Sequence, residues 1–345
     1  MRKIDSTGTR MFAEASEAAD VVARQLDANA ELIRDLAVRL RTNRPRTVVT
    51  YARGSSDHAA TFAKYVIETR VGVLTSSGAP SIASVYRDPP DFRETLALII
   101  SQSGQSPDIL AAVEAANAGG ALSVALVNAE RSRVEAVADV TVPLRAGEEQ
   151  SVAATKSYIA SLAAVLHLVA QWTGDERLLD ALQAAPSKLK QAFECDWSPL
   201  VECLKQARGL YVIGRGPGLG VAQEAALKLK ETCRIHAEAF SSAEVRHGPM
   251  ELIGPDFPML VFRQSDESAE GIGELARDVI ARGAPVFVAG AEVEGATSLP
   301  VPDAPELIEP LLHIQALYRA ANQLSVELGL DPDRPLHLRK VTETL

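Results

Sequence analysis

Cysteine is scarce in this 345-residue chain: three in all, Cys195, Cys203 and Cys233, with no CxxC spacing. An odd, scattered set supplies neither a disulfide framework nor a thiolate zinc site, and it suits a reducing, cytoplasmic location. Aromatic residues are also few, 5% against 47% hydrophobic. The core must therefore be built from Ala, Val, Leu and Ile, which favours helices packed on a parallel sheet. No apolar run approaches the ~18 residues of a membrane helix. The start MRKIDSTGTR is basic but is followed by no apolar signal region, so a soluble, unprocessed chain is expected. Positive charge is in deficit too: 35 Lys and Arg against 45 Asp and Glu give a formal net charge of −10. That argues against a nucleic-acid or anionic-membrane surface. A small anion stays possible, because helix N-termini hold phosphate without net positive charge.

The chain is longer than one typical domain of roughly 100–200 residues. From Met11 to about Arg41, apolar residues at helical spacing (Val22, Leu26, Leu32, Leu36, Leu40) predict one or two amphipathic helices. From Arg46 the pattern changes. RTVVTYARGSSDHAATFAKYVIE reads as a short strand, a Gly/Ser turn and a helix; LALIISQSGQSPDIL, Leu96 to Leu110, and then ALSVALV repeat it. Short apolar strands alternating with helices predict βαβ units and a parallel sheet. A long apolar helix is expected over Ala154 to Gly174, then a looser segment over Asp175 to about Trp197. At Arg208 the series restarts, and PMLVFRQSDESAEGI aligns without a gap on LALIISQSGQSPDIL. The expected organisation is an internal duplication at a period of about 162 residues: a helical segment over 1–45, one α/β domain over 46–185 and a second over 198–345.

Ser101 to Pro107 falls between a buried strand and a helix from about Asp108, where ligands bind in open parallel sheets. Short side chains let a bound group approach the backbone, and Gly104 permits a φ other residues resist. Ser101, Gln102, Ser103 and Ser106 can then converge with first-turn N–H groups on one anion. An ordinary turn with Ser106 as N-cap before Pro107 reads equally well from these residues alone. The second copy keeps Gln264, Ser265 and Ser268 but has Asp266 for the glycine and Glu267 for Gln105, negative charge where an anion would sit.

SQSGQS after a buried strand, with ARGSS (Ala52 to Ser56), resembles the sugar-isomerase (SIS) domain family, and in particular the tandem isomerase half of glucosamine-6-phosphate synthases. EAALKLKETCRIHAEAFSSAEVRHGP (Glu224 to Pro249), EEQSVAATKSY (Glu148 to Tyr158) and HLRKVTETL (His337 to Leu345) match the same subfamily. The resemblance implies two three-layer α/β/α domains, each with a mostly parallel, flavodoxin-like sheet. It implies that Ser56, Ser101, Gln102, Ser103 and Ser106 hold a sugar phosphate, with Gly54 and Ser55 in the same turn, and that Val152 lines the sugar. Glu231 would move a proton between C1 and C2, with Lys228 on its helix face. His247, entering from the neighbouring subunit of a homodimer, would assist ring opening, and Lys340 would reach the sugar and can form a Schiff base. No cofactor or metal is implied.

The chemistry agrees. Moving a proton between adjacent sugar carbons needs one base reaching both, which a carboxylate provides if burial raises its pKa. Taken singly, Glu224 and Lys228 would pass for a surface pair with Glu231 nearby, His247 for a turn histidine and Lys340 for a tail lysine. The synthases carry a glutamine-hydrolysing domain with an N-terminal cysteine; here residue 2 is Arg. His337, Arg339 and Ala154 depart from the synthase pattern, and the ending LRKVTETL looks like that of short relatives that act as glucosamine-6-phosphate deaminases or fructosamine-phosphate deglycases. The expected reaction is glucosamine 6-phosphate plus water to fructose 6-phosphate and ammonia. Alternatives are a deglycase, an isomerase half that borrows a glutaminase, and a sugar-phosphate sensor. The last is disfavoured because the N-terminal segment shows no recognition helix or basic face.

Overall fold

The computed structural model describes residues 5–340. The chain divides into two compact units whose segments interleave: one gathers the chain up to Ala19, Gln150–Thr155 and Ala184–Leu338; the other gathers Asp20–Glu149, Lys156–Gln183 and the chain from Arg339.

In the second of these, β1 (Thr47–Tyr51), β2 (Leu74–Ser77), β3 (Thr95–Ser101), β4 (Leu122–Val127) and β5 (Val140–Pro143) form one sheet in the order β2-β1-β3-β4-β5. Every pairing is parallel. All seven residues of β3 are buried, as a central strand covered on both faces requires. Its side chains alternate: Ala97 and Ile99 pack with Ile109, Ala112, Val113 and Ala116 of the helix Pro107–Ala118, while Leu96, Leu98 and Ile100 point to the other face. Each such Leu or Ile contributes about 1.5–3 kcal/mol.

The other unit repeats the plan. β6 (Gly209–Gly214), β7 (His236–Ser241), β8 (Met259–Phe262), β9 (Val286–Ala289) and β10 (Thr297–Leu299) follow the order β7-β6-β8-β9-β10, again all parallel. β6 begins at Gly209 and the helix after β8 at Ala269, each 162 residues beyond its counterpart, Thr47 and Pro107. The duplication expected from the sequence is thus present in topology and in register.

The segment from Asp175 to Trp197 differs from expectation: it is helical from Glu176 to Phe193, with Pro186 inside. Leu178, Leu182, Ala185, Leu189 and Ala192 form a buried stripe at helical spacing. Together they outweigh the ~3 kcal/mol an interior proline costs. Among the described residues, no helix is long and apolar enough to cross a membrane.

In both sheets the chain runs from the first strand to one neighbour and then returns on the other side of it. This reversal leaves a crevice beyond the carboxyl ends of β1 and β3, and another beyond β6 and β8, the position where open α/β sheets bind ligands.

Candidate active site

The first crevice is bounded by ARGSS after β1 and SQSGQS after β3. Gly104 holds φ +59°, and a Cβ there would run into Ser132 and into Val127 Cγ1 at 3.0 Å, so both conformation and space demand glycine. The Ser101 hydroxyl accepts the Gly104 N–H at 2.9 Å and that of Ser103 the Gln105 N–H at 3.3 Å. These two hydroxyls therefore shape the loop and keep their protons to donate. Ser106 has N-cap geometry, φ −60° and ψ 121°, with Pro107 following, yet its side chain makes no capping bond. The capping role that the sequence left open for it is not used. Gly54, at φ +56°, opens the helix Ser55–Val66, so Ser55 and Ser56 sit half-buried in its first turn.

A residue pair missed in the sequence ties these loops together. Arg53 donates from Nε (2.9 Å) and Nη2 (2.6 Å) to Asp108 Oδ2, and Asp108 is fully buried in the first turn of Pro107–Ala118. The only signal was an arginine inside one turn and an aspartate just after the other.

The second crevice is filled by the protein itself. Ser265 donates its N–H and its hydroxyl to Glu309, each at 2.8 Å, and Ser268 donates both of its groups to Asp266, the N–H at 2.9 Å. The donors that would face an anion are spent on two carboxylates. Burial, opposed by the Ser265 bonds, raises the Glu309 pKa above the usual carboxylate range.

In the same unit, the helix Gly218–Cys233 carries Glu224, Lys228 and Glu231 on one face. Lys228 is fully buried, 3.4 Å from the equally buried Glu224 and paired with Glu231, whose side chain keeps 19% exposure. Tyr318 donates to Glu224 at 3.1 Å. This is no surface pair, and the deeply buried acid is Glu224, not Glu231. Desolvation alone would lower the Lys228 pKa, but the two carboxylates outweigh it and hold it above its ordinary value. The lysine is thus a cation paired with Glu231, which lines a cavity of about 320 Å³ together with Leu227, Lys230, Arg234 and Pro335 to Leu338.

His247 closes a short 3-10 turn (Glu244–His247) and is exposed, without a hydrogen-bond partner among the described residues. Val152 is half-buried, its N–H 3.4 Å from the Asp333 carbonyl. Lys340 Nζ lies 3.3 Å from Glu149 Oε2, whose carboxylate also accepts from the Ser157 hydroxyl at 2.6 Å. The structure thus gathers Gly54, Ser55, Ser56, Ser101, Gln102, Ser103 and Ser106 at one sheet end of one unit, and Lys228 and Glu231 on one helix of the other. Val341 to Leu345, the last part of HLRKVTETL, lie outside the described residues. No group of His, Cys, Asp or Glu among the described residues is arranged to hold a metal ion.

Two switch-point sheets, one followed by a serine loop and the other with its corresponding serines bonded to Glu309 and Asp266, define a duplicated α/β protein. The SIS domain model matches residues 43–171 and 203–289, and the chain belongs to the SIS domain family. It is 30% identical over 348 residues to a glutamine–fructose-6-phosphate aminotransferase (isomerizing) of Brucella melitensis biotype 1, covering 96% of this chain and 57% of that protein. The chain therefore spans little more than half the length of the curated relatives it matches. Among solved structures it resembles a candidate phosphosugar isomerase from Silicibacter pomeroyi DSS-3, with a TM-score of 0.90 and 40% identity over 94% of this chain and 100% of that one. It also resembles the C-terminal domain of glucosamine-fructose-6-phosphate aminotransferase from Francisella tularensis, with a TM-score of 0.85 and 25% identity over 95% and 98%. The chain is thus related to the isomerase domain of these aminotransferases.

Proposed function

We propose that the chain converts glucosamine 6-phosphate and water to fructose 6-phosphate and ammonia. The observation that carries this reading is the ion-paired set Glu224–Lys228–Glu231, buried except at Glu231, which lines a cavity large enough for a hexose. The serine loop anchors the phosphate through the Ser56 and Ser106 hydroxyls and the retained protons of Ser101 and Ser103, with Gln102 alongside. His247 of a neighbouring subunit assists ring opening. Glu231 takes the proton from C2 of the open-chain sugar and returns it at C1, while a proton passes from the amine to O1. The C1 aldehyde becomes a hydroxymethyl group and the C2 amine an imine. Water adds at C2 and ammonia leaves, giving the ketone, so no nitrogen donor and no redox partner is needed. Lys228 acts through Glu231, whose carboxylate it orients, and Val152 and Lys340 contact the sugar.

The test is ammonia and fructose 6-phosphate formed in equal amounts by the purified chain, and their loss in Glu231→Gln. No ammonia from glucosamine 6-phosphate, or full activity in that variant, sinks the reading. The 30% identity to aminotransferases favours a second reading, an isomerase half that works with ammonia released from glutamine elsewhere. Glucosamine 6-phosphate made from fructose 6-phosphate only when ammonia is supplied, by glutamine with a glutaminase partner, would select it. The subunit exchange has its own check. Equal mixing of inactive Glu231→Gln and His247→Asn proteins, after dissociation and reassociation, should restore about a quarter of wild-type activity if each site takes His247 from the neighbouring subunit, and none if it does not.

A further inference from the structure

The short helix Arg10–Ser16 belongs to none of the motifs, yet it stands in a closed ring of hydrogen bonds. Glu14 is only 7% exposed. Its carboxylate accepts the Gln150 N–H, the Ser151 N–H (3.2 Å at Oε2) and the Ser151 hydroxyl. On the opposite side, Asp333 Oδ1 and Oδ2 accept the N–H groups of Met11 and Arg10, both at 2.8 Å. The ring closes where the Val152 N–H meets the Asp333 carbonyl. All of these residues belong to one compact unit. Two residues after Asp333, the stretch Pro335 to Leu338 forms a wall of the cavity beside Glu231.

A nearly buried carboxylate is costly unless it is fully bonded, and charge-assisted bonds are about twice as strong as neutral ones. Glu14 spends that strength on a stretch, Gln150 to Ala153, that has no helix or strand of its own. Asp333 does the same for the segment leading to the cavity wall. Neither carboxylate touches Glu231 or Lys228.

We infer that Glu14 and Asp333 are positioning residues: through the helix Arg10–Ser16 they hold the sugar loop at Val152 and the wall at Pro335 to Leu338 in one register. That a sugar phosphate is what this register serves rests on the function proposed above; the clamp itself does not. Loosening either carboxylate should therefore release both segments together.

Amide hydrogen exchange on the substrate-free protein tests the clamp, with Glu14→Ala, Glu14→Gln and Asp333→Ala beside wild type. In Glu14→Ala the amides of Ser151 and Val152 should exchange at least about tenfold faster. The amides of Arg10 and Met11, which Glu14 does not touch, should quicken with them, and Glu14→Gln, which keeps one acceptor oxygen, should fall between. Acceleration confined to Gln150 and Ser151 would overturn the inference, since the ring would then not transmit. The functional half is read from steady-state kinetics. KM for the sugar phosphate should rise about tenfold, with a smaller fall in kcat and rescue by Glu14→Gln; unchanged KM with a lowered melting temperature would leave the clamp purely structural and overturn the positioning role. If wild type turns over no sugar phosphate, the proposed reaction fails by itself. The same comparison is then made on fructose 6-phosphate affinity by calorimetry, where equal Kd values for wild type and Glu14→Ala would overturn the positioning role.

Discussion

Lys228 Nζ lies 3.4 Å from Glu224 Oε1, and neither side chain is exposed. A buried ion pair of this kind is often no more stable than a well-packed apolar pair, but removing one partner strands the other charge. Lys228→Met should therefore cost about 3–5 kcal/mol in urea denaturation and should abolish proton transfer as well. A variant that kept wild-type stability would mean that the Lys228–Glu224 contact contributes nothing to the fold.

The pH dependence of this pair follows from its sign. The folded Lys228 pKa lies above its ordinary 10.5, so its stabilisation is complete below that value and is lost as pH rises through the folded pKa. Between pH 7 and about 9.5, denaturation midpoints of wild type should show no loss attributable to Lys228.

The acid side is set elsewhere. His313 is fully buried and stacked on Phe262 with ring centroids 5.5 Å apart, and burial lowers its pKa to about 3. His167 is lowered by burial to about 4. The unfolded chain protonates both near 6.5 and the native one resists. Their contribution is complete above pH 6.5 and should fall progressively as pH drops towards 3. His313→Leu should flatten the His313 share of that decline, read as the slope of denaturation free energy between pH 6.5 and 4; an unchanged slope would exclude His313 as a contributor.

Much of this architecture was legible beforehand because the signals were local. The strand runs, the restart at Arg208 and the pairing of Gln102, Ser103 and Ser106 with Gln264, Ser265 and Ser268 are all sequence patterns, and the 162-residue register appears in both sheets. What escaped were interactions between residues far apart in sequence. Arg53 with Asp108, Ser265 with Glu309 and Glu14 with Ser151 join segments that no spacing rule connects. The helix Glu176–Phe193 escaped although Leu178, Leu182, Ala185, Leu189 and Ala192 recur at helical spacing, and it carries Pro186 in its interior. The burial order along Glu224, Lys228 and Glu231 also needed the fold, because helical spacing shows that three residues share a face but not which of them faces the core.

The serines of the loop should separate by role. Ser101→Ala loses the oxygen that accepts the Gly104 N–H, so it should lower stability by about 1 kcal/mol as well as weaken sugar-phosphate binding. Ser106→Ala loses no capping bond and no side-chain hydrogen bond among the described residues; its melting temperature should stay within error of wild type, while affinity for fructose 6-phosphate falls about tenfold, as for one charge-assisted hydrogen bond. Calorimetric titration beside thermal melting reads both, and equal affinities for Ser106→Ala and wild type would remove Ser106 from the anion site.

The self-filled cradle makes the opposite prediction. Glu309 accepts from both Ser265 groups, yet burial raises its pKa above the unfolded value of 4.5. A carboxyl whose folded pKa is raised stabilises the fold at low pH, and that stabilisation is lost as pH rises through the folded value. At pH 8 the ionised group is therefore a burden. Glu309→Gln can keep both bonds, since the amide oxygen accepts the Ser265 N–H and the amide nitrogen donates to the Ser265 hydroxyl. The variant should melt higher than wild type at pH 8, with the gain vanishing towards pH 4. A lower melting temperature at pH 8 would mean that the negative charge itself, and not only its hydrogen bonds, holds the second crevice closed.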